Sequence, residues 1–88
     1  MNDVEWIDAA LDQLADIYVA TAAGDREGIV SAVEEIDRVL GQNGQIEGES
    51  RGGYHRIYFH DLLVVFFAIV PHAPIQVTGV RSNRRKNR

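Results

Sequence analysis

The seven residues from Tyr54 to His60, YHRIYFH, bring two tyrosines, two histidines and an arginine into one short stretch. Side chains in a strand alternate between faces, so Tyr54, Arg56, Tyr58 and His60 share one face and Ile57 and Phe59 the other. The first set combines a cation, aromatic surface and an imidazole. Guanidinium groups hold phosphate, and aromatic rings between basic residues suit stacked bases. Handling of nucleic acid is therefore one reading of this strand. The other is structural: the tyrosines pack, and Arg56 pairs with an acidic helix. His55 falls with the apolar pair and is expected to pack inward, whereas His72, between two prolines, is expected to be exposed. A second basic cluster closes the chain. Arg81, Arg84, Arg85, Lys86 and Arg88 place five cations within eight residues. Arg81 and Arg84 are expected to join the site, and Arg85 to Arg88 to fray.

The charge of the whole chain supports an anionic partner for that half. The net charge of −4 conceals a division. Residues 1–50 carry twelve acidic side chains against Arg26 and Arg38, whereas residues 51–88 carry seven cations against Asp61 alone. Such asymmetry bears on association, not on fold. At 88 residues the chain holds one domain, and 45% apolar residues suffice for a core. The absence of cysteine excludes a disulfide framework, a thiolate zinc site and a cysteine nucleophile. The acidic N-terminus lacks a signal-peptide layout, and Leu62–Val70 is too short to span a bilayer as a helix. A cytoplasmic protein without a membrane partner is expected.

The elements that must position these residues follow in order. Residues 1–6 contain a short apolar stretch, Val4 to Trp6, suited to an edge strand or a helix lead-in. Ile7, Ala10, Leu11, Leu14, Ile17 and Tyr18 recur at helical spacing, with Asp8, Asp12 and Asp16 on a solvated face. Gly24 ends this helix, and Asp25 is a candidate N-cap for the next. Ile29, Val33, Ile36 and Leu40 repeat the pattern up to a C-cap glycine, Gly41. Residues 7–40 therefore read as an antiparallel helical hairpin. The link 41–53 holds five glycines but no phosphate-loop motif and reads as irregular. Residues 54–80 read as a three-strand antiparallel meander, whose central strand, Leu62 to Val70, is apolar on both faces. Residues 81–88 are a basic tail. The expected fold is α+β, with the hairpin packed on one face of the meander.

With those elements in place, VEWIDAALDQLADIY resembles the opening of the RelE/ParE toxin superfamily of type II toxin–antitoxin systems. The matching positions are Glu5, Trp6, Ala10, Leu14 and Ile17. Arg56 entering the meander, LLVVFFAI as central strand and VRSNRR as terminal basic segment follow in the family's order. The resemblance covers nearly the whole chain. It implies a growth-arresting toxin held inactive by a cognate antitoxin, in a plasmid-stabilisation type of system, without cofactor or metal. RelE-like members cleave messenger RNA on the ribosome; ParE-like members poison DNA gyrase and are not known as enzymes. A homodimer is a further expected state.

RNA cleavage of the RelE kind needs a base for the ribose 2′-hydroxyl, cations for the crowded phosphate and an acid for the leaving oxygen. On the resemblance, Arg56, His60, Arg81 and Arg84 are the candidate catalytic residues, and Arg51, Tyr54 and Tyr58 the candidate RNA contacts. One position departs from the pattern. Where RelE-like nucleases carry an arginine in the central strand this chain has Val64, and its tail lacks the tyrosine or histidine of many nucleases. Ribosome-dependent RNA cleavage is the leading expectation, with gyrase poisoning or a degenerate toxin as the alternative. A stand-alone nucleic-acid-binding module is a third reading, although the chain shows no helix-turn-helix pattern.

Overall fold

The computed structural model describes residues 3–43, 49–50 and 53–83. Strand β1 (Val4–Trp6) leads into helix α1 (Asp8–Ala20), a single 3-10 turn (Ala23–Asp25) and helix α2 (Arg26–Asn43). Strands β2 (Glu49–Ser50), β3 (His55–Phe59), β4 (Leu63–Ala68) and β5 (Ile75–Ser82) complete the chain. The sheet order is β1-β5-β4-β3-β2. The β3-β4-β5 meander is antiparallel as expected, and β1 is an edge strand that runs parallel to β5. The sheet is thus mixed.

Helix α1 ends at Ala20, before the expected stop at Gly24, which lies in the 3-10 turn, and α2 and the link after it differ from the sequence reading as well. Helix α2 does not stop at Gly41 but runs through it to Asn43, because Leu40 and Gly41 are both buried against the sheet layer. Packing overrides the conformational freedom of glycine there. The link also contains β2, whose two residues pair with Arg56 and Ile57 of β3.

The core lies between the helices and one face of the sheet. Ala10, Ile29, Ala32, Ile36 and Leu40 from the helices meet Leu63, Val65 and Phe67 of β4 and Ile75, Val77 and Val80 of β5. Val77 and Val80 are three residues apart, so strict alternation would send them to opposite faces. A bulge resolves this. Phe66 opposes Gly79 and Phe67 opposes Val77, leaving Thr78 as the extra residue, with its hydroxyl donating to the Phe66 carbonyl at 3.3 Å.

Polar contacts fix the edges. The Trp6 indole N–H donates to the Asp37 carboxylate at 2.7 Å, tying β1 to α2. Beyond β1, the outer edge of β5 is covered by α1, where Gln13 Oε1 accepts from the Val80 amide at 2.9 Å. Arg26 closes the hairpin. Its guanidinium donates to the carbonyls of Tyr18, Val19 and Thr21 at 3.0–3.1 Å and lies 5.2 Å from the centre of the Tyr18 ring. These carbonyls belong to the C-terminal end of α1, where cations are favoured. Charged hydrogen bonds of this kind contribute roughly 1.5–3 kcal/mol when shielded, and partial exposure puts the expected loss near the lower bound. Arg26→Ala is expected to lower the melting temperature by several degrees, read by far-UV circular dichroism; an unchanged midpoint would remove Arg26 from this role.

Candidate functional site

The period of two holds in β3, but the face is reversed from expectation. Residues paired across adjacent strands point the same way. Tyr58 pairs with Val65 and Arg56 with Phe67, both fully buried core residues. Tyr58 packs against the core, and the His60 ring reaches α2. Arg56, Tyr58 and His60 therefore face the helical layer. His55, Ile57 and Phe59 lie on the helix-free face, opposite Ala68, Phe66 and Val64. His55 is exposed instead of packed, and Phe59 is 50% exposed.

His60 is engaged at both ring nitrogens. Nδ1 accepts from the Leu62 amide at 3.0 Å, so the proton is assigned to Nε2, which donates to the Glu35 carboxylate at 3.2 Å. The imidazole is only 11% exposed. Asn83 completes the clasp, its side-chain amide donating to the His60 carbonyl and its backbone amide to the Leu62 carbonyl. In this arrangement His60 joins the β3-β4 turn to α2 and the end of β5.

Tyr54 is exposed in the turn before β3, beside Gly53, whose positive φ of 57° suits a residue without a Cβ. With Arg56, Ile69 and Pro71 it lines a recess of about 300 Å³. Arg56 on β3 and His60, just past the end of that strand, are four residues apart, about 13 Å at the strand rise of roughly 3.3 Å per residue. Arg81, paired with Val64, lies on the helix-free face, across the sheet from Arg56. The described residues do not bring Arg56, His60 and Arg81 together around one phosphate. Arg51 and Arg84 lie outside the described residues, as do Arg85 to Arg88. His72 is exposed in the turn between β4 and β5.

The helix-free face carries a different constellation. The Arg81 guanidinium sits 5.0 Å above the Phe66 ring. Phe66, Val64, Ile57 and Phe59 are brought together by the β3-β4 register. This is a cation on an aromatic platform, beside an apolar strip that is buried at Val64, half-buried at Ile57 and Phe66 and exposed at Phe59. The sequence reading singled out Arg81 but missed Phe66 and Phe59. The available signal was β4 itself. A strand apolar on both faces beside a single helical layer must leave part of its apolar surface on the uncovered side. Among the described residues, no group of three or more His, Cys, Asp or Glu side chains could hold a metal ion, and no helix is long and apolar enough to cross a membrane.

The architecture is a two-helix layer against a mixed sheet with a long antiparallel meander. Among solved structures, the chromosomal ParDE TA system from P. aeruginosa contains a chain that shares it, with a TM-score of 0.74 over 93% of this chain and 96% of that chain, at 20% identity. At that identity the likeness is one of fold. No protein-family model matches the chain, and no curated protein matches it.

Proposed function

We propose that this chain is the toxin of a type II toxin–antitoxin pair, acting in the cytoplasm by binding its target, with DNA gyrase as that target, and neutralised by a cognate antitoxin. The observation that carries the binding mode is the distribution of the basic and aromatic side chains. Arg56, Tyr58 and His60 face the helical layer, and Arg81 stands on the other side with Phe66 and Phe59. An exposed arginine over an aromatic ring, with the exposed Phe59 on the same face, is the composition of a protein-binding hot spot. A general base, a charge-stabilising cation and a general acid within reach of one phosphate are what cleavage would require. The shared fold with a chain of a ParDE TA system supports the toxin–antitoxin part of this reading.

The antitoxin is expected to engage this side of the molecule by adding a strand at the β2 edge of the sheet or laying a helix along the open face. Ribosome-dependent RNA cleavage is the second reading, favoured by Arg56 and Tyr54 lining one recess.

The deciding experiment is controlled expression with two readouts, transcript ends and gyrase-linked DNA breaks. Intact transcripts with accumulating breaks are the expected outcome. Cleavage of ribosome-bound messages with intact DNA transfers the chain to the nuclease reading.

A further inference from the structure

The bulge in β5 leaves a recess in the helix-free, open face of the sheet. Strand pairing sets the side chains of that face in rows across the strands. Ile57, Phe66 and Gly79 form one row; Phe59, Val64 and Arg81 form the next. On the other side, His55, Ala68, Gln76 and Glu5 form a third. Gly79 is the position where the middle row lacks a side chain. A Cβ there would meet the Phe66 ring at 3.6 Å and Gln13 Oε1 of α1 at 3.2 Å. His55, Ile57, Phe66, Thr78 and Gly79 line the recess, whose volume is about 450 Å³. A cavity of about 150 Å³ already holds benzene, so one aromatic side chain fits here with room to spare.

The charges around the recess are unevenly placed. Arg81 is exposed, lies over the Phe66 ring and stands two residues along β5 from Gly79. Arg56 also borders the recess, but its side chain faces the helical layer. Acidic residues hold the two edges: Glu5 lies on β1 beyond Gln76, and Glu49 of β2 is the register partner of Ile57. A polyanion laid across the face meets an acidic residue at either edge, whereas a single carboxylate can reach Arg81 alone. Two residues along a strand span about 7 Å, and side chains two apart point the same way. An extended chain running along β5 therefore repeats the spacing from the recess to Arg81. We infer that the open face takes an extended segment of its protein partner, with an aromatic side chain seated in the recess at Gly79. The residue two places away in that segment is acidic and sets its carboxylate on Arg81. The inference rests on the proposal that this face binds a protein, and it names the feature of the partner that is read.

The test uses the full chain and three short synthetic peptides that differ only at two positions, two residues apart. One carries phenylalanine and glutamate there, the second phenylalanine and lysine, the third alanine and glutamate. Amide spectra of the labelled chain report both affinity and place, with shifts expected at Ile57, Phe66, Gly79 and Arg81. The phenylalanine–glutamate peptide is expected to bind about tenfold tighter than the alanine–glutamate peptide. Against the phenylalanine–lysine peptide the expected gain is about three- to fivefold, and it shrinks as salt rises. Arg81→Ala is expected to erase the preference for glutamate and keep that for phenylalanine. Gly79→Leu, which extends a side chain into the recess, is expected to do the reverse. Where that variant does not fold, the two peptide ratios and the shifts of the unaltered chain decide. Absent or equal binding of the three peptides, shifts confined to other surfaces, or a glutamate preference that survives Arg81→Ala would each overturn the inference. So would tighter binding of a short single-stranded oligonucleotide at the same amides. Growth arrest lost in Arg81→Glu, together with equal peptide binding, removes the recess and keeps the open face. Growth arrest retained in folded Arg81→Glu removes the open face, and the recess with it.

Discussion

Arg81→Glu is expected to abolish growth arrest while the protein stays folded. Arg81 is exposed on β5, where it stacks on Phe66 opposite Val64. An exposed cation–π contact contributes roughly 0.5–1 kcal/mol, so its loss lowers the melting temperature of a domain this size by about 8 °C at most. At an interface the same side chain counts for more. Truncation of a hot-spot arginine costs 2 kcal/mol or more, about thirtyfold in affinity, and reversal of its charge adds repulsion. The binding effect therefore exceeds the stability effect. Colony formation after induction, beside a thermal melt of the purified variant, separates the two. A folded Arg81→Glu protein that still arrests growth would remove the open face from the function. Arg56→Ala provides the contrast, because that residue lies on the helical side of β3.

The two faces of β3 also show where reading from sequence succeeds and where it stops. The alternation of Arg56, Tyr58 and His60 is local geometry, and the structure retains it. Which face meets the helices is decided by partners far away in the chain. The usual rule sends the more apolar face inward, and Ile57 and Phe59 satisfy that rule on paper. The inward surface of β4, however, is already supplied by Leu63, Val65 and Phe67, and pairing brings Tyr58 onto that side. Aromatic Tyr58 packs there well enough, and Phe59 is left outside. The bulge at Thr78 has a faint local trace in Gly79, a residue that weakens a regular strand. The clasp made by Arg26 has none: its acceptors are main-chain carbonyls whose position exists only once α1 has ended. The helices and the meander were legible because their patterns repeat over many residues. The site was only half legible, because it depends on register.

Adjacent residues of β4 offer the sharpest check of that register. Phe67 is fully buried in the core, opposite Arg56 and Val77, while Phe66 points to the helix-free face beneath Arg81. Phe67→Ala removes a large side chain from a close-packed interior, which costs about 3–5 kcal/mol. Against a total stability of roughly 5–15 kcal/mol, that is a large share. The melting temperature is expected to fall by at least about 12 °C, at about 4 °C or more per kcal/mol for a domain of this size. Phe66→Ala leaves no sealed cavity, because solvent and the Arg81 side chain can fill the space, so its stability loss is expected to be the smaller of the two. Its functional loss is expected to be the larger per unit of stability, since Arg81 loses the ring that holds it over the strip. Thermal melts of both variants, with growth arrest measured at a temperature where both remain folded, decide the matter. Equal destabilisation by the two substitutions would mean that the open face is a second core surface and not a binding site. Growth arrest retained in folded Phe66→Ala would mean that Arg81 acts without its platform, if it acts at all.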